Sequence, residues 1–251
     1  MGAVELTLRG RASLVLQREI GRLLGPIWIP IVAFLVRVAF GWRFADLQTT
    51  RETYKRLRSA SSSPLLICAN HLTMVDSALI AVALGGPGWY IGRFASLPWN
   101  TPARESFAST WYSKALVYLM KCIPVSRGGD RREIGEVLSR ISWLLSVGET
   151  ALIFPEGGRS RTTRVDTAAV TYGVGRIVRA VPDCRVLCVY LRGEHQADYT
   201  TLPQRGDRFH VSLRSLEPKT TKRGLRASLD ISQQILSQLE EMENEYFDDR
   251  K

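Results

Sequence analysis

A histidine and a carboxylate lie close together in the sequence, just after a short apolar run. The run, 65–69, has the length of a β-strand, and His71 and Asp76 follow it. Histidine accepts a proton near neutral pH, and a nearby carboxylate can orient its ring and stabilise the protonated form. The spacing allows contact if the turn between the two residues opens a helix. The alternative is structural: Asp76 would only favour the helix N-terminus, with Asn70 as its cap.

A second polar segment follows another apolar run, 151–154. Its glycine pair, Gly157–Gly158, permits close approach of another backbone or a ligand, and Arg159 and Arg161 could bind phosphate oxygens. Glu156 could hold an arginine or bond a substrate hydroxyl. The alternative is a polar turn with a solvated Glu–Arg pair. The density of charge around the glycine pair favours an anion-binding loop.

Strand-like and helix-like stretches alternate along the chain. Apolar runs predict strands at 65–69, 89–93, 121–125, 151–154, 185–191 and 208–215, and helical patterns predict helices at 73–84, 101–121, 131–147, 166–180 and 225–246. This alternation favours an α/β layered domain with a mostly buried sheet flanked by helices. Ligands of such sheets gather where strands end, and both polar segments begin just past a predicted strand. We therefore expect the two segments to meet in space.

The N-terminal part is predicted to be an apolar helical segment that associates with a membrane. An apolar run at 23–36 lies between Arg22 and Arg37, but it is shorter than the roughly 20 residues needed to span hydrocarbon. Pro26 and Pro30 weaken its first half as a helix. Flanking arginines suit a segment that lies in, or dips into, a membrane face, whereas a buried helix of a soluble core is the alternative. A polar break at 60–64 predicts a boundary between 1–59 and 60–251.

The net charge of +10 at pH 7 is the unusual feature of the composition. Such a charge attracts nucleic acid, anionic lipid headgroups or phosphorylated substrates. The sequence has no zinc-finger spacing, RNP-like aromatic block or helix-turn-helix pattern, so nucleic acid is not an expected partner. It also lacks the GxSxG elbow of serine hydrolases and a dinucleotide fingerprint. The four cysteines form no CxxC pair and are predicted to be reduced thiols in a cytosolic setting.

A third segment places Arg127 after the run at 121–125 and before two glycines. With these three segments the chain resembles the glycerolipid acyltransferases typified by lysophosphatidic acid acyltransferase. That family has an Asn-His-x4-Asp block, a block ending in arginine, a Phe-Pro-Glu-Gly-x-Arg-Ser block, and a weaker fourth block built on a proline in a strand. The matching positions here are Asn70, His71 and Asp76, then Arg127, then Phe154, Pro155, Glu156, Gly157, Arg159 and Ser160. The resemblance covers about residues 60 to 195.

The resemblance implies that residues 60–251 are an O-acyltransferase domain. His71 would remove a proton from an acceptor hydroxyl, Asp76 would orient His71, and the oxygen would attack an acyl thioester without a covalent acyl-enzyme. Acyl-CoA or acyl carrier protein would be the donor substrate, with no further cofactor and no metal. The substrate-binding residues would be Asn70, Arg127, Glu156, Gly157, Arg159 and Ser160. The same resemblance implies a phosphorylated lipid acceptor. The apolar N-terminal segment and the basic net charge predict contact with a membrane surface that contains anionic lipids, in a peripheral or monotopic location on the cytoplasmic face of the cell membrane.

Three positions depart from the family pattern. Cys188 stands where the fourth block has proline, Ser126 precedes Arg127 in place of an acidic residue, and Gly158 replaces the usual threonine. These differences leave the acceptor open. Lysophosphatidic acid is the default, and a different lipid or a secondary-metabolite hydroxyl is the alternative. A basic nucleic-acid- or lipid-binding protein without catalysis is the third reading, against which the intact His71 and Asp76 argue.

Overall fold

A five-stranded mixed sheet forms the centre of the computed structural model, which describes residues 6–107, 110–126, 129–168 and 170–250. Its strands are β1 (Arg43–Phe44), β2 (Leu65–Ala69), β3 (Thr150–Ile153), β4 (Arg185–Gly193) and β5 (Arg208–Leu216). Their order across the sheet is β1-β5-β4-β2-β3. β2 is parallel to both β3 and β4, and β4 and β5 are antiparallel. The prediction of an α/β layered fold is therefore confirmed.

Helices flank the sheet on both sides. They are α1 (Leu8–Phe34), α2 (Leu47–Ser59), α3 (Asp76–Leu84), α4 (Pro87–Gly92), α5 (Arg104–Phe107), α6 (Trp111–Leu119), α7 (Arg131–Ser146), α8 (Tyr172–Ala180) and α9 (Gly224–Asp248). A π-helical stretch, Leu35–Ala39, continues α1, and a short 3-10 turn, Phe94–Ser96, follows α4.

The core consists of two apolar clusters, one on each face of the sheet. β2 contributes to both, because successive side chains of a strand point to opposite faces. Leu66 and Cys68 belong to the cluster under α7, α8 and α9, whereas Leu65, Ile67 and Ala69 belong to the cluster under α1, α2, α3 and α4. All five residues of β2 are buried, which confirms that the central sheet is covered on both faces.

Helix α1 is continuous, contrary to the expectation that prolines weaken the first half of the apolar run 23–36 as a helix. Pro26 and Pro30 both lie inside it, and the π-helical stretch extends it to Ala39. One side of α1 packs against the rest of the domain, and this packing compensates for the backbone hydrogen bonds that the prolines remove. The combined helix, Leu8–Ala39, is long and apolar enough to cross a membrane by length and composition, and only 17% of its most apolar window is buried. One such helix suggests membrane association.

Several predicted element boundaries were wrong. Residues 89–93 are not a strand: most of them belong to the short helix α4, which starts with Pro87 at its first turn. Residues 121–125 form isolated bridges at Cys122 and Val125 instead of a strand. The helix predicted from residue 166 begins at Tyr172, and the one predicted from residue 73 begins at Asp76. Short apolar runs do not distinguish strands from turns of helix, which explains the first two errors.

Candidate active site

The parallel pairing of β2 with β3 brings the two polar segments together. The register pairs Cys68 with Ile153, so His71 and Glu156 each lie three residues beyond paired positions. The backbone N–H of Ser160 donates to the carbonyl oxygen of His71 at 2.9 Å. The segments therefore meet at the carboxyl end of the sheet, as the alternation of strands and helices led us to expect.

His71 and Asp76 are in direct contact. Nδ1 of His71 lies 3.0 Å from Oδ2 of Asp76. A carboxylate only accepts hydrogen bonds, so Nδ1 of the neutral ring carries the hydrogen and Nε2 has the lone pair. The side chain of Asp76 is 3% exposed and that of His71 is 16% exposed. The arrangement leaves a mostly buried imidazole with Nε2 as its proton acceptor.

The Asp76 carboxylate is fixed by the turn that precedes it. Oδ2 also accepts hydrogen bonds from the backbone N–H groups of Leu72 at 2.6 Å and Thr73 at 2.8 Å. Oδ1 accepts from the hydroxyl of Thr73 at 2.5 Å. These hydrogen bonds tie the Asp76 side chain to the turn before α3 and hold the carboxylate toward His71. Sequence reasoning missed Thr73, although its position three residues before Asp76 is a capping spacing that could have indicated it.

Phe154 holds the other side of the histidine. Its ring stacks on the imidazole with centroids 4.0 Å apart and an interplanar angle of 14°. A stacked aromatic ring restricts rotation of the imidazole about its side-chain bonds and excludes water from one face. The sequence places Phe154 in the third block but indicates no role for it, because its contact with His71 depends on the β2–β3 register.

Glu156 points inward and connects two loops. Oε1 accepts from the backbone N–H of His71, and Oε2 accepts from the backbone N–H of Asp166, each at 3.3 Å. Burial raises the pKa of Glu156 to about 7, although the two backbone hydrogen bonds oppose that shift. Each oxygen keeps a second lone pair, so a contact with the acceptor stays a prediction.

Gly157 and Ser160 shape the loop after β3. Gly157 has a φ of +71° and closes a turn by donating its N–H to the carbonyl of Phe154 at 3.0 Å. The left-handed conformation favours glycine, because a side chain there would be strained. Ser160 is buried, and its hydroxyl donates to the carbonyl of Arg164. This buried hydrogen bond therefore stabilises the loop after β3.

Asn70 joins the His71 turn to the neighbouring strand. Its side-chain amide donates to the carbonyl of Leu191 at 3.0 Å and accepts from the N–H of Leu191 at 2.8 Å. The side chain thus continues the pairing of β2 with β4 past the end of β2. It is 2% exposed, and its predicted role in substrate binding is untested.

Arg159 is held by a loop far along the chain. Its guanidinium donates to the carbonyl of Thr200 at 3.1 Å and lies 5.7 Å from the centre of the Tyr199 ring. The same loop pairs with the turn between His71 and Asp76, because Thr200 donates its N–H to the carbonyl of Leu72 at 3.2 Å. No local sequence signal pointed to this contact. Of the other predicted arginines, Arg161 is exposed in the same loop as Arg159, and Arg127 lies outside the described residues.

An apolar cleft begins one residue after Asp76. It is partly open to solvent and lies among α1, α3 and α4. α3 contributes Ser77, Ala78, Ala81 and Val82 to its wall. α1 contributes Trp28, Ile29, Val32 and Ala33. The cleft is therefore suited to an apolar chain, and its wall includes Ser77, the residue after Asp76.

A second His–Asp contact lies just past the carboxyl end of β4. Nδ1 of His195 is 3.0 Å from Oδ1 of Asp207, but the His195 side chain is 64% exposed. The His71 pair differs from this one because Phe154 stacks on the His71 ring and Glu156 accepts a hydrogen bond from the His71 backbone. Within the described ranges, no group of three or more His, Cys, Asp and Glu residues could hold a metal ion.

The comparison with protein families matches residues 47–192 to the acyltransferase model. The chain belongs to the acyltransferase family. The matched region contains both polar segments, β2, β3 and nearly all of β4, and it agrees with the resemblance to glycerolipid acyltransferases found in the motifs. No curated protein matches the chain. As a member of the family, the protein is a transferase of acyl groups.

Proposed function

We propose that this acyltransferase moves a fatty acyl group from acyl-CoA or acyl carrier protein to a hydroxyl of a lysophospholipid such as lysophosphatidic acid. The observation that carries the proposal is the 3.0 Å contact between His71 and Asp76 at the end of β2. The family supports acyl transfer in general. The base, the acceptor and the location are the proposed parts.

In the proposed reaction, Nε2 of His71 accepts the proton of the acceptor hydroxyl while the hydroxyl oxygen attacks the thioester carbonyl carbon. The tetrahedral intermediate collapses, the C–S bond breaks, and the thiolate leaving group receives the proton from His71. Asp76 holds the imidazole in the required tautomer and stabilises its protonated form. The acyl group passes directly to the acceptor, without an acyl-enzyme.

The acceptor phosphate is proposed to bind Arg159, with Arg127 as a second cation. Arginine forms strong paired hydrogen bonds with phosphate oxygens, and Arg159 is part-exposed beside the His71 turn. Gly157 permits the turn of this loop because its φ of +71° is unfavourable for other residues. Asn70, Glu156 and Ser160 would support this site by fixing the turns around it.

The fatty acyl chain is proposed to occupy the apolar cleft among α1, α3 and α4. Its wall is continuous with the helix that starts at Asp76, so a chain in the cleft would lead its thioester toward His71. Removal of the chain from water supplies binding free energy of about 0.8 kcal/mol for each buried methylene.

Monotopic attachment to the cytoplasmic face of the cell membrane is the proposed location. One side of α1 is buried along much of its length; its buried residues are Leu14, Gln17, Gly21, Gly25, Trp28 and Ile29. A helix held lengthwise against a domain presents its other side to the membrane instead of crossing it. That other side is apolar, with Leu23 78% exposed and Ile27 63% exposed.

The test is an acyl-transfer assay with the full chain in detergent, a labelled acyl thioester and a panel of acceptors. The panel contains lysophosphatidic acid, monoacylglycerol, other lysophospholipids and hydroxylated metabolites. His71→Ala should abolish transfer, and His195→Ala is the matched control because it removes a histidine with the same contact distance to an aspartate. Normal turnover by His71→Ala would refute the assigned base. Preference for a non-phosphorylated acceptor would refute lysophosphatidic acid and leave the acyl transfer itself in place.

A further inference from the structure

Helix α6 carries apolar side chains on the side that faces away from the protein. Trp111 is 81% exposed, Tyr112 62% and Leu116 51%, whereas Val117 is 7% exposed. Residues four apart lie on one face of a helix, so Tyr112 and Leu116 are neighbours, and Trp111 adjoins them. Val117 points to a different side, toward the domain. A helix on the surface of a soluble protein has the reverse arrangement, with its apolar side facing the core.

The exposed aromatic pair lies on an ordered turn. Thr110 caps α6: its hydroxyl accepts from the N–H of Ser113 at 3.3 Å, and the Ser113 hydroxyl accepts from the N–H of Thr110 at 3.0 Å. This capping box fixes the first turn, which contains Trp111 and Tyr112. The exposure of the two rings is therefore a feature of a defined helix start.

α6 contacts the apolar helix α1. The side-chain amide of Gln17 donates to the carbonyls of Tyr118 and Cys122, both at 2.9 Å. A Cβ on Gly21 would lie 2.9 Å from the carbonyl oxygen of Leu119, so the glycine permits the close approach of the two helices. α1 has its own exposed apolar side chains near these contacts, including Leu16 and Leu23.

Positive charge lies beside both apolar sides. On α1 the side chain of Arg22 is 66% exposed and lies 3.9 Å from the carboxylate of Glu19, and Lys114 on α6 is exposed. Tryptophan and tyrosine favour the boundary between water and lipid, where the ring is buried and the polar group is hydrated. Aromatic rings next to basic side chains match the surface of an anionic bilayer.

We propose that α6 is a second membrane-contacting element, and that Trp111, Tyr112 and Leu116 enter the interface of an anionic lipid bilayer beside α1. The inference rests on the membrane attachment in the proposed function and is independent of the acceptor and of the chemistry at His71. It places the start of α6, as well as α1, at the lipid surface.

The test is flotation of the full chain with vesicles of phosphatidylcholine and phosphatidylglycerol. Replacement of Trp111, Tyr112 and Leu116 together by serine should lower the partition coefficient by about tenfold or more. The control carries Tyr172→Ser and Leu225→Ser, which remove exposed apolar side chains from the first turns of two other helices. The control should bind vesicles as the wild type does.

A second measurement does not depend on the stability of the serine variant. Trp111 is the exposed tryptophan, so the fluorescence difference between the wild type and Trp111→Phe reports its environment. Lipids brominated on the acyl chain should quench that difference signal. Unchanged flotation of the serine variant, or a Trp111 signal that bromine does not quench, would overturn the proposal.

Two further measurements distinguish this proposal from a protein–protein interface at α6 and from the proposed acyl transfer. If the serine substitutions convert a dimer into a monomer in detergent and leave flotation intact, α6 is an interface between copies of this chain and the proposal is wrong. Transfer from a short-chain, water-soluble thioester in detergent should be equal in the wild type and the serine variant. Absence of that transfer in both proteins, with flotation lowered only in the variant, would refute the proposed function and support the α6 contact.

Discussion

The backbone N–H of His71 donates a hydrogen bond of 3.3 Å to Oε1 of Glu156, which lies 85 residues later in the chain. The other oxygen of the same carboxyl accepts from the N–H of Asp166. A single buried side chain therefore holds the histidine turn after β2 to the loop after β3. Because burial raises the pKa of Glu156 to about 7, this connection changes its protonation in the physiological range.

Glu156 should make the folding stability depend on pH. The folded state keeps the proton up to about pH 7, whereas the unfolded state releases it near 4.5. Between these values the unfolded state binds fewer protons, so the free energy of unfolding falls as pH rises, by up to about 1.4 kcal/mol per pH unit. In Glu156→Gln this dependence is absent. Denaturant unfolding at pH 5 and pH 8 should show the wild type losing about 2–3 kcal/mol relative to the variant.

The matched control for that measurement is Glu217→Gln, which changes an exposed glutamate. Its unfolding free energy should follow that of the wild type at both pH values. A difference between the wild type and Glu156→Gln that is the same at pH 5 and pH 8 would contradict the raised pKa.

Asp76→Asn should lower kcat by about 10²–10⁴-fold, because a neutral amide does not stabilise the protonated imidazole and replaces one acceptor oxygen by an NH2 group that can only donate. The Michaelis constant for the donor should change little, since Asp76 acts through His71. Thr73→Val removes only the hydroxyl bond to Oδ1 and should have a smaller effect, about tenfold or less in kcat. Steady-state kinetics of the wild type, Asp76→Asn and Thr73→Val measure the order of their kcat values. Near-normal kcat in Asp76→Asn would exclude the orienting role.

The sequence predicted the parts of the site that depend on short spacing. His71 and Asp76 lie within one turn, so their contact needed only a helix start, and the apolar runs before both segments correctly indicated strands of a buried sheet. The contacts of Arg159 and Phe154 could not be predicted in this way. They depend on which strands are neighbours and in which register, and strand order is set by packing of the whole core.

The errors in the fold have the same origin. The sequence suggested a weak helix at Pro26 and Pro30, but α1 continues because its buried side packs along the domain. The run at 121–125 was predicted to be a strand, and it contains Lys121, which is fully buried and donates to Glu149 at 2.5 Å. Sequence patterns do not reveal such tertiary contacts, which stabilise a helix that contains prolines and a lysine that is buried. The boundary between 1–59 and 60–251 stays a prediction.

Arg159→Ala should raise the Michaelis constant for a phosphorylated acceptor by about tenfold or more, because it removes a charge-assisted hydrogen bond to phosphate. The constant for monoacylglycerol, which has no phosphate, should be unchanged. Arg226→Ala removes the same charge from an exposed position on α9 and serves as the control. Equal effects on both acceptors would mean that Arg159 does not bind the phosphate.

Tyr199→Leu should weaken the acceptor site through Arg159. The Tyr199 ring lies below the guanidinium at 5.7 Å, and a cation–π contact at a part-exposed site contributes about 0.5–1 kcal/mol. The Michaelis constant for lysophosphatidic acid should rise about two- to fivefold with kcat unchanged. Tyr199→Phe keeps the aromatic face and should behave as the wild type. If the leucine and phenylalanine variants have the same kinetics, the ring does not position Arg159.

Ala33→Phe should shorten the acyl chains that the enzyme accepts. Ala33 lies in the α1 wall of the apolar cleft, and His71 is not among the residues that line the cleft, so a larger side chain at position 33 fills part of the cleft and leaves the His71 side chain in place. Each methylene excluded from the cleft loses about 0.8 kcal/mol of transfer free energy, so loss of two or more lowers kcat/KM for a palmitoyl donor by about tenfold or more. The value for a butyryl donor should be unchanged.

Ala12→Phe places the same side chain at an exposed position of the same helix and should preserve both values. A uniform loss for the palmitoyl and butyryl donors would show that the cleft does not hold the acyl chain.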